Sequence, residues 1–394
     1  MKKNITLFLF SLTSFGFKAQ NFIQAYQTRA NQVSQTNIIT NLQEFSNFGI
    51  KTTGSNNNVN AFNWIKNKYL SYGYSVSEIA EHPFSYLSGG NTINSKNLIV
   101  TKTRTVYPNK YVIICGHFDS INGPGVNDNG SGTSIILEAA RILKDVPTEY
   151  SIKFIHFSGE EQGLRGSSNY VNNVVYQNGI RQLDIKLVFN LDQVGGKMGN
   201  NNNTIFCDED QGGVAANNAA STDVTQQLMN CTMLYSPLQT DIDPAENTDY
   251  IPFEQKGEVI TGFFEYIRSN FPHTSNDTFA NTDPVYVFNV GKAAVGALQH
   301  FATATATLLN TKDISVNSLE NVRIYPNPTK DNLNIELPYK VNDFSFEITD
   351  MVGHTLIKEV NETKIDTSSL ANGAYIGVLK SEGQTVVRQI LIDR

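Results

Sequence analysis

The sequence predicts an α/β domain on a largely parallel central sheet, followed by a small all-β sandwich. Three observations carry this. From Asn97 onward, short β-branched or aromatic runs alternate with helical stretches. Runs such as Val112-Ile113-Ile114-Cys115 are apolar without a break, as strands buried on both faces are. Beyond Lys312 to Val322 the text turns to short strand-like runs parted by Val352-Gly353 and Asn372-Gly373.

Residues 1–19 open with Lys2 and Lys3, continue with an apolar stretch from Ile5 to Phe17, and end at the small Ala19. This pattern is expected to be a secretory signal peptide, too short for a comfortable membrane span. Residues 21–72 read mostly as helix, with Trp64, Ile65, Tyr69 and Leu70 at helical spacing. Asn97 to Val100, Tyr111 to Cys115, Ile152 to Phe157 and Lys186 to Leu191 read as strands. Ser131 to Lys144, Leu164 to Val175 and Val285 to Leu309 read as helices. The C-terminal strands are expected near Arg323, Leu333, Phe344, Thr355, Ala374 and Val386. The expected organisation is therefore 1–19 signal peptide, 20–312 main domain, 313–321 linker and 322–394 β-sandwich.

The chain of 394 residues is 17% charged, with a net charge of -7. It has no basic footprint, which argues against nucleic acid as a partner. The three cysteines, Cys115, Cys207 and Cys231, are odd in number and form no CxxC, so no cysteine zinc site is expected.

Polar clusters follow strand after strand: Gly116-His117-Phe118-Asp119-Ser120, Gly125-Val126-Asn127-Asp128-Asn129-Gly130-Ser131-Gly132, Ser158-Gly159-Glu160-Glu161 and Asn190-Leu191-Asp192. Pro272-His273 comes later. Taken singly, each has a plain explanation: a helix cap for Asp128, a turn for Asp192, a solvated loop for the glutamates. Together they place imidazoles and carboxylates at successive strand ends, where ligands bind in open α/β sheets. Such donors suit a pair of zinc ions. Asp128, Glu161 and Asp192 with a bridging hydroxide would balance two Zn2+. Paired metals of this kind sit roughly 3.5–4 Å apart. Glu160 and Glu161 point to opposite sides of an extended segment, so one binds metal while its neighbour serves as base. Asp119, two residues after His117, is expected to accept the imidazole's other N–H and fix its tautomer.

The pieces GHFDS, GVNDNGSG, GEEQGLRGS, NLDQVG and PHTSNDT, in this order over roughly residues 90–310, resemble the di-zinc aminopeptidase family, which includes bacterial leucyl-type enzymes. The resemblance implies a three-layer α/β/α sandwich with a mixed sheet. It implies one zinc on His117, Asp192 and bridging Asp128, the other on Asp128, Glu161 and His273, and Glu160 as general base acting on a metal-bridging water. It also implies a cis peptide at Asp128-Asn129, and an activity that removes N-terminal residues from peptides. Where such chains have Ser-Asp-His, this one has Thr248-Asp249-Tyr250, and Tyr250 is a candidate either for packing or for assisting the oxyanion. Glutaminyl-peptide cyclotransferases share the fold. A non-catalytic binding protein with a vestigial site is the remaining alternative.

Tyr325-Pro326-Asn327-Pro328-Thr329, Ile348-Thr349-Asp350-Met351-Val352-Gly353 and Leu370-Ala371-Asn372-Gly373-Ala374-Tyr375 resemble the type IX secretion sorting domain. That resemblance implies a Gram-negative bacterium, the type IX machinery as partner, and a product released or attached to the cell surface.

Overall fold

The computed structural model describes residues 20–104, 106–307, 322–337, 343–350, 354–381 and 384–394. The expected signal peptide and linker lie outside these residues. The chain divides into two compact units, Met1–Thr307 and Leu308–Arg394.

The first unit opens with helices α1 (Gln24–Ala30), α2 (Gln35–Ser46) and α3 (Asn56–Ser71). Ser34 and Ser55 cap α2 and α3, each hydroxyl accepting the N–H three residues on. A long hairpin follows, β1 (Ile79–Ser88) and β2 (Asn91–Lys102), which the sequence pattern shows only at its last residues. Then come β3 (Tyr107–His117), α4 (Gly132–Leu143), β4 (Tyr150–Phe157) and α5 (Arg165–Tyr170). α5 runs on into a wider turn, Val171–Val175. The two-residue strands β5 (Tyr176–Gln177) and β6 (Ile180–Arg181) pair as a separate hairpin before β7 (Asp184–Leu191). The unit closes with β8 (Thr204–Glu209), α6 (Ala215–Tyr235), β9 (Gln239–Pro244), α7 (Ile251–Glu254), β10 (Ile260–Glu265) and α8 (Pro284–Phe301). The helix expected from Val285 stops at Phe301, short of Leu309.

Eight strands form one mixed sheet in the order β1-β2-β4-β3-β7-β10-β8-β9. β4, β3, β7 and β10 run parallel at its centre. Alternation sets the two faces. Ile113, Cys115, Ile155, Phe157 and Val188 pack with Tyr170, Val175, Tyr250 and Phe253 on the α5 and α7 face. Phe154 and His156 turn the other way toward Tyr69 of α3, and Phe189 toward Phe301 of α8. Both faces are covered, so Val112 to Cys115 are wholly buried. This is the three-layer α/β/α arrangement. Because the central strands are parallel, His117, Ser158 and Asp192 all emerge at the same end of the strands.

The second unit holds a three-stranded sheet and a four-stranded sheet. β11 (Arg323–Tyr325), β12 (Asn332–Glu336) and β15 (Lys364–Asp366) form the first. β13 (Ser345–Thr349), β14 (Thr355–Val360), β16 (Gly373–Ser381) and β17 (Gln384–Ile392) form the second. Leu333, Ile335 and Ile365 from one sheet meet Phe346, Ile348, Leu379 and Ile390 from the other in a shared core. Among the described residues no helix is long and apolar enough to cross a membrane. All three cysteines are buried and free.

Candidate active site

His117 ends β3, and its Nε2 lies 3.1 Å from Asp128 Oδ1 and 3.3 Å from Asp192 Oδ1. His273 Nε2 lies 3.1 Å from Asp128 Oδ2 and 2.9 Å from Glu161 Oε2. Asp128 thus turns one oxygen to each imidazole. Two triads result, His117-Asp128-Asp192 and Asp128-Glu161-His273, each with its donor atoms within 4.8 Å of one another. His117 is buried, whereas His273 is 52% exposed, so the second triad faces the opening.

The donor set fits cations better than hydrogen bonds. His117 Nε2 and Asp192 Oδ1 are buried and close, yet neither has a hydrogen-bond partner among the described residues. Leaving such groups unpaired is costly. Both belong to the His117-Asp128-Asp192 triad, whose donor atoms lie close enough for one cation to satisfy both. The acidities agree. Burial raises Glu160 to about 10, with the nearby carboxylates of Asp192, Asp249 and Asp119 adding to it. Burial and then Asp128 raise Glu161 to about 8. Burial disfavours a charged His117, but the facing Asp192 and Asp128 outweigh it and raise its pKa well above the usual value. Hydrogen bonding to Asp128 leads the causes that lift His273 to about 9. These shifts report surplus negative charge in a dry pocket, the field a metal pair neutralises.

The loop carrying Asp128 is held from several sides. Its Asp128-Asn129 peptide is cis. Asp277 accepts the N–H groups of Asn127 at 2.7 Å and Asp128 at 3.0 Å. Glu265, at the end of β10, accepts from Asn127 Nδ2 and Gly196 N at 2.9 and 2.8 Å. Thr248 donates to Asp192 Oδ2 at 2.6 Å, leaving Oδ1 for the site.

The family model described as peptidase family M28 matches residues 97–297, just over half of the chain. The chain belongs to peptidase family M28. A second model, the secretion system C-terminal sorting domain, matches residues 323–393. The M28 chain is 44% identical over 103 residues to the aminopeptidase YwaD of Bacillus subtilis, covering 26% of this chain and 22% of that protein. It is 31% identical over 145 residues to a probable zinc metalloprotease of Pyrenophora teres, covering 33% and 30%. These matches span between about a fifth and a third of the relatives' length. A glutaminyl cyclase structure from Macrostomum lignano shares the fold at TM-score 0.62 and 15% identity, covering 73% of this chain and 95% of that one.

One expected detail of the M28 chain differs in the structure. The Asp119 carboxylate is not the nearest partner of His117 Nδ1. It stands 3.7 Å away, whereas the backbone carbonyl oxygen of Asp119 is at 3.2 Å. The carboxylate instead accepts the N–H groups of Glu160 and Glu161, each at 3.3 Å, and the Thr53 hydroxyl at 3.2 Å. The chain turns after His117, so the carbonyl faces the ring and the side chain reaches the β4 loop. Asp277 serves the backbone of the Asp128 loop. Tyr250 is fully buried. Its hydroxyl donates to Asp208 at 2.8 Å and accepts from Glu246 N at 2.6 Å, which makes it a packing residue. Thr53 and Glu265 were invisible as site residues because each lies outside the quoted motifs, and Thr248, although quoted beside Tyr250, carried no sign that its hydroxyl reaches Asp192.

Proposed function

We propose that the chain is a secreted aminopeptidase that hydrolyses the N-terminal bond of peptides with two zinc ions. His117, Asp192 and Asp128 would hold one ion, and Asp128, Glu161 and His273 the other. The observation that carries this is the split of Asp128, one oxygen to each imidazole, with Glu160 next in sequence to Glu161 and within electrostatic reach of His117 and Asp192. Histidine and carboxylate donors suit zinc, and one relative bears the name of a zinc metalloprotease. When bound, the metals would polarise the scissile carbonyl and lower the pKa of water.

The protein's own groups do the rest. Glu160 makes no side-chain hydrogen bond among the described residues, so its carboxylate is free to take a proton from the attacking water. It then passes that proton to the leaving nitrogen. Asp119 sets the position of Glu160 and Glu161 through their backbone N–H groups. The carboxylates around the site attract the substrate's free α-ammonium group, which favours exopeptidase action.

In this reading residues 1–19 are a signal peptide, 20–312 the catalytic domain, 313–321 a linker and 322–394 a sorting domain that directs type IX secretion from a Gram-negative cell. Product analysis tests the function. Zinc-loaded protein incubated with a Leu-initiated peptide is expected to release free leucine, and chelator is expected to stop it. Cyclisation of a Gln-initiated peptide with no free amino acid from either would replace this reading with a cyclotransferase.

A further inference from the structure

Between the start of α3 and the β1–β2 hairpin lies a cavity of about 510 Å3, in the range of about 300–1,000 Å3 usual for ligand sites. Phe62 and Phe84, both largely buried, give it an apolar wall, while Asn58, Asn63, Asn94 and Ser95 bring amides and a hydroxyl. Among the described residues the side-chain amides of Asn63 and Asn94 have no hydrogen-bond partner. A carboxamide both donates and accepts, which matches the paired N–H and C=O of a peptide unit.

This cavity shares its wall with the catalytic loop. The Phe84 ring lies 3.4 Å from where a Cβ on Gly159 would stand, and Gly159 directly precedes Glu160. Asn58 Nδ2 and Ser95 Oγ donate to the Ser158 hydroxyl at 3.0 and 3.1 Å. That hydroxyl is 3.4 Å from Thr53 Oγ1, which in turn donates to Asp119. The position has a direction. A group that returns a proton to the leaving nitrogen must come within about 2.6–3.2 Å of it. The peptide beyond that nitrogen therefore departs on the Glu160 side. Glu160 lies in the loop that follows β4, and the sheet continues from β4 through β2 to β1, the two strands that line the cavity, while β7 and β10 lie on the other side.

We propose that this cavity binds the residues of the substrate downstream of the scissile bond, so that the enzyme favours peptides over amino-acid amides. The inference rests on the aminopeptidase reading for its direction. The test uses the full zinc-loaded chain carrying Glu160→Gln, which binds without turnover. Calorimetry compares leucine amide with the pentapeptide Leu-Ala-Phe-Ser-Gly. The pentapeptide is expected to bind about tenfold tighter or better. Val59 lines the cavity from an exposed position on α3. Adding Val59→Trp, or separately Asn63→Trp, is expected to bring the affinity ratio back toward one. Equal binding of the two ligands, or a ratio unmoved by both tryptophans, would overturn the proposal. Release of free leucine from the pentapeptide by the wild-type chain is measured alongside. Its absence with a ratio still near ten would sink the aminopeptidase reading and leave the peptide site standing.

Discussion

Asp119→Asn is expected to cost about a hundredfold in kcat/KM while leaving the metal content intact. The carboxylate holds two successive N–H groups, those of Glu160 and Glu161, both at 3.3 Å. Hydrogen bonds to a charged acceptor contribute about 1.5–3 kcal/mol each. At this length the lower figure applies, giving about 3 kcal/mol for the pair. An asparagine keeps the shape but loses the charge and turns an NH2 group toward one of the donors. If that loss falls on the transition state, 3 kcal/mol is a factor of about 10² in rate. His117 keeps its partner, because the backbone carbonyl of residue 119 accepts from Nδ1 in either variant. Zinc content by elemental analysis and kcat/KM on a Leu-initiated peptide give the two readouts. A large loss of zinc affinity with little change in the rate of the fully loaded protein would refute the reasoning, since it would mean that the carboxylate holds the metal donors His117 or Glu161 in place instead of Glu160.

Other outcomes follow from the same geometry. Glu160→Gln is expected to retain zinc and lose at least about 10²-fold in kcat, as removal of a general base does; wild-type rates would show that another group takes the proton. Asp277→Ala removes the acceptor of two backbone N–H groups in the Asp128 loop. It should destabilise the chain by about 3 kcal/mol in urea unfolding, and an unchanged midpoint would contradict its role. His156 is buried and its pKa is depressed by burial to about 3, so it stays neutral in the folded chain. The unfolded chain takes up that proton near the ordinary histidine pKa. Stability should therefore fall as pH drops from about 6.5 toward 3, by up to about 1.4 kcal/mol per unit. His156→Gln should flatten that slope in urea titrations at stepped pH, and parallel slopes would disprove the linkage.

Much of the main unit was legible because its central strands are buried on both faces and its chemistry sits at their ends. Val112 to Cys115 could be read as a strand, and His117 followed as its terminus. The five donors, His117, Asp128, Glu161, Asp192 and His273, lie in compact motifs, and the structure brings them together. The β1–β2 hairpin was harder. It is a long edge hairpin with many exposed polar residues and Pro83 inside β1, so no apolar pattern marks it. α6 was missed because its buried residues, among them Asn217, Ser221 and Thr225, are polar. The role of Asp119 was misplaced for a geometric reason. Sequence spacing cannot say whether a carbonyl or a carboxylate reaches the imidazole once the strand has ended. Glu265, at the end of β10, and Thr248, in the turn before α7, became readable only when the fold brought them beside Asn127 and Asp192.

The most direct test of the paired centre is a zinc titration of metal-free protein, with bound metal and leucine release followed together. The wild-type chain should saturate at two equivalents, and His273→Ala, which removes a donor from one triad only, should bind one ion tightly. Full activity of the wild-type chain at a single equivalent, with no second ion bound, would contradict the shared role given to Asp128.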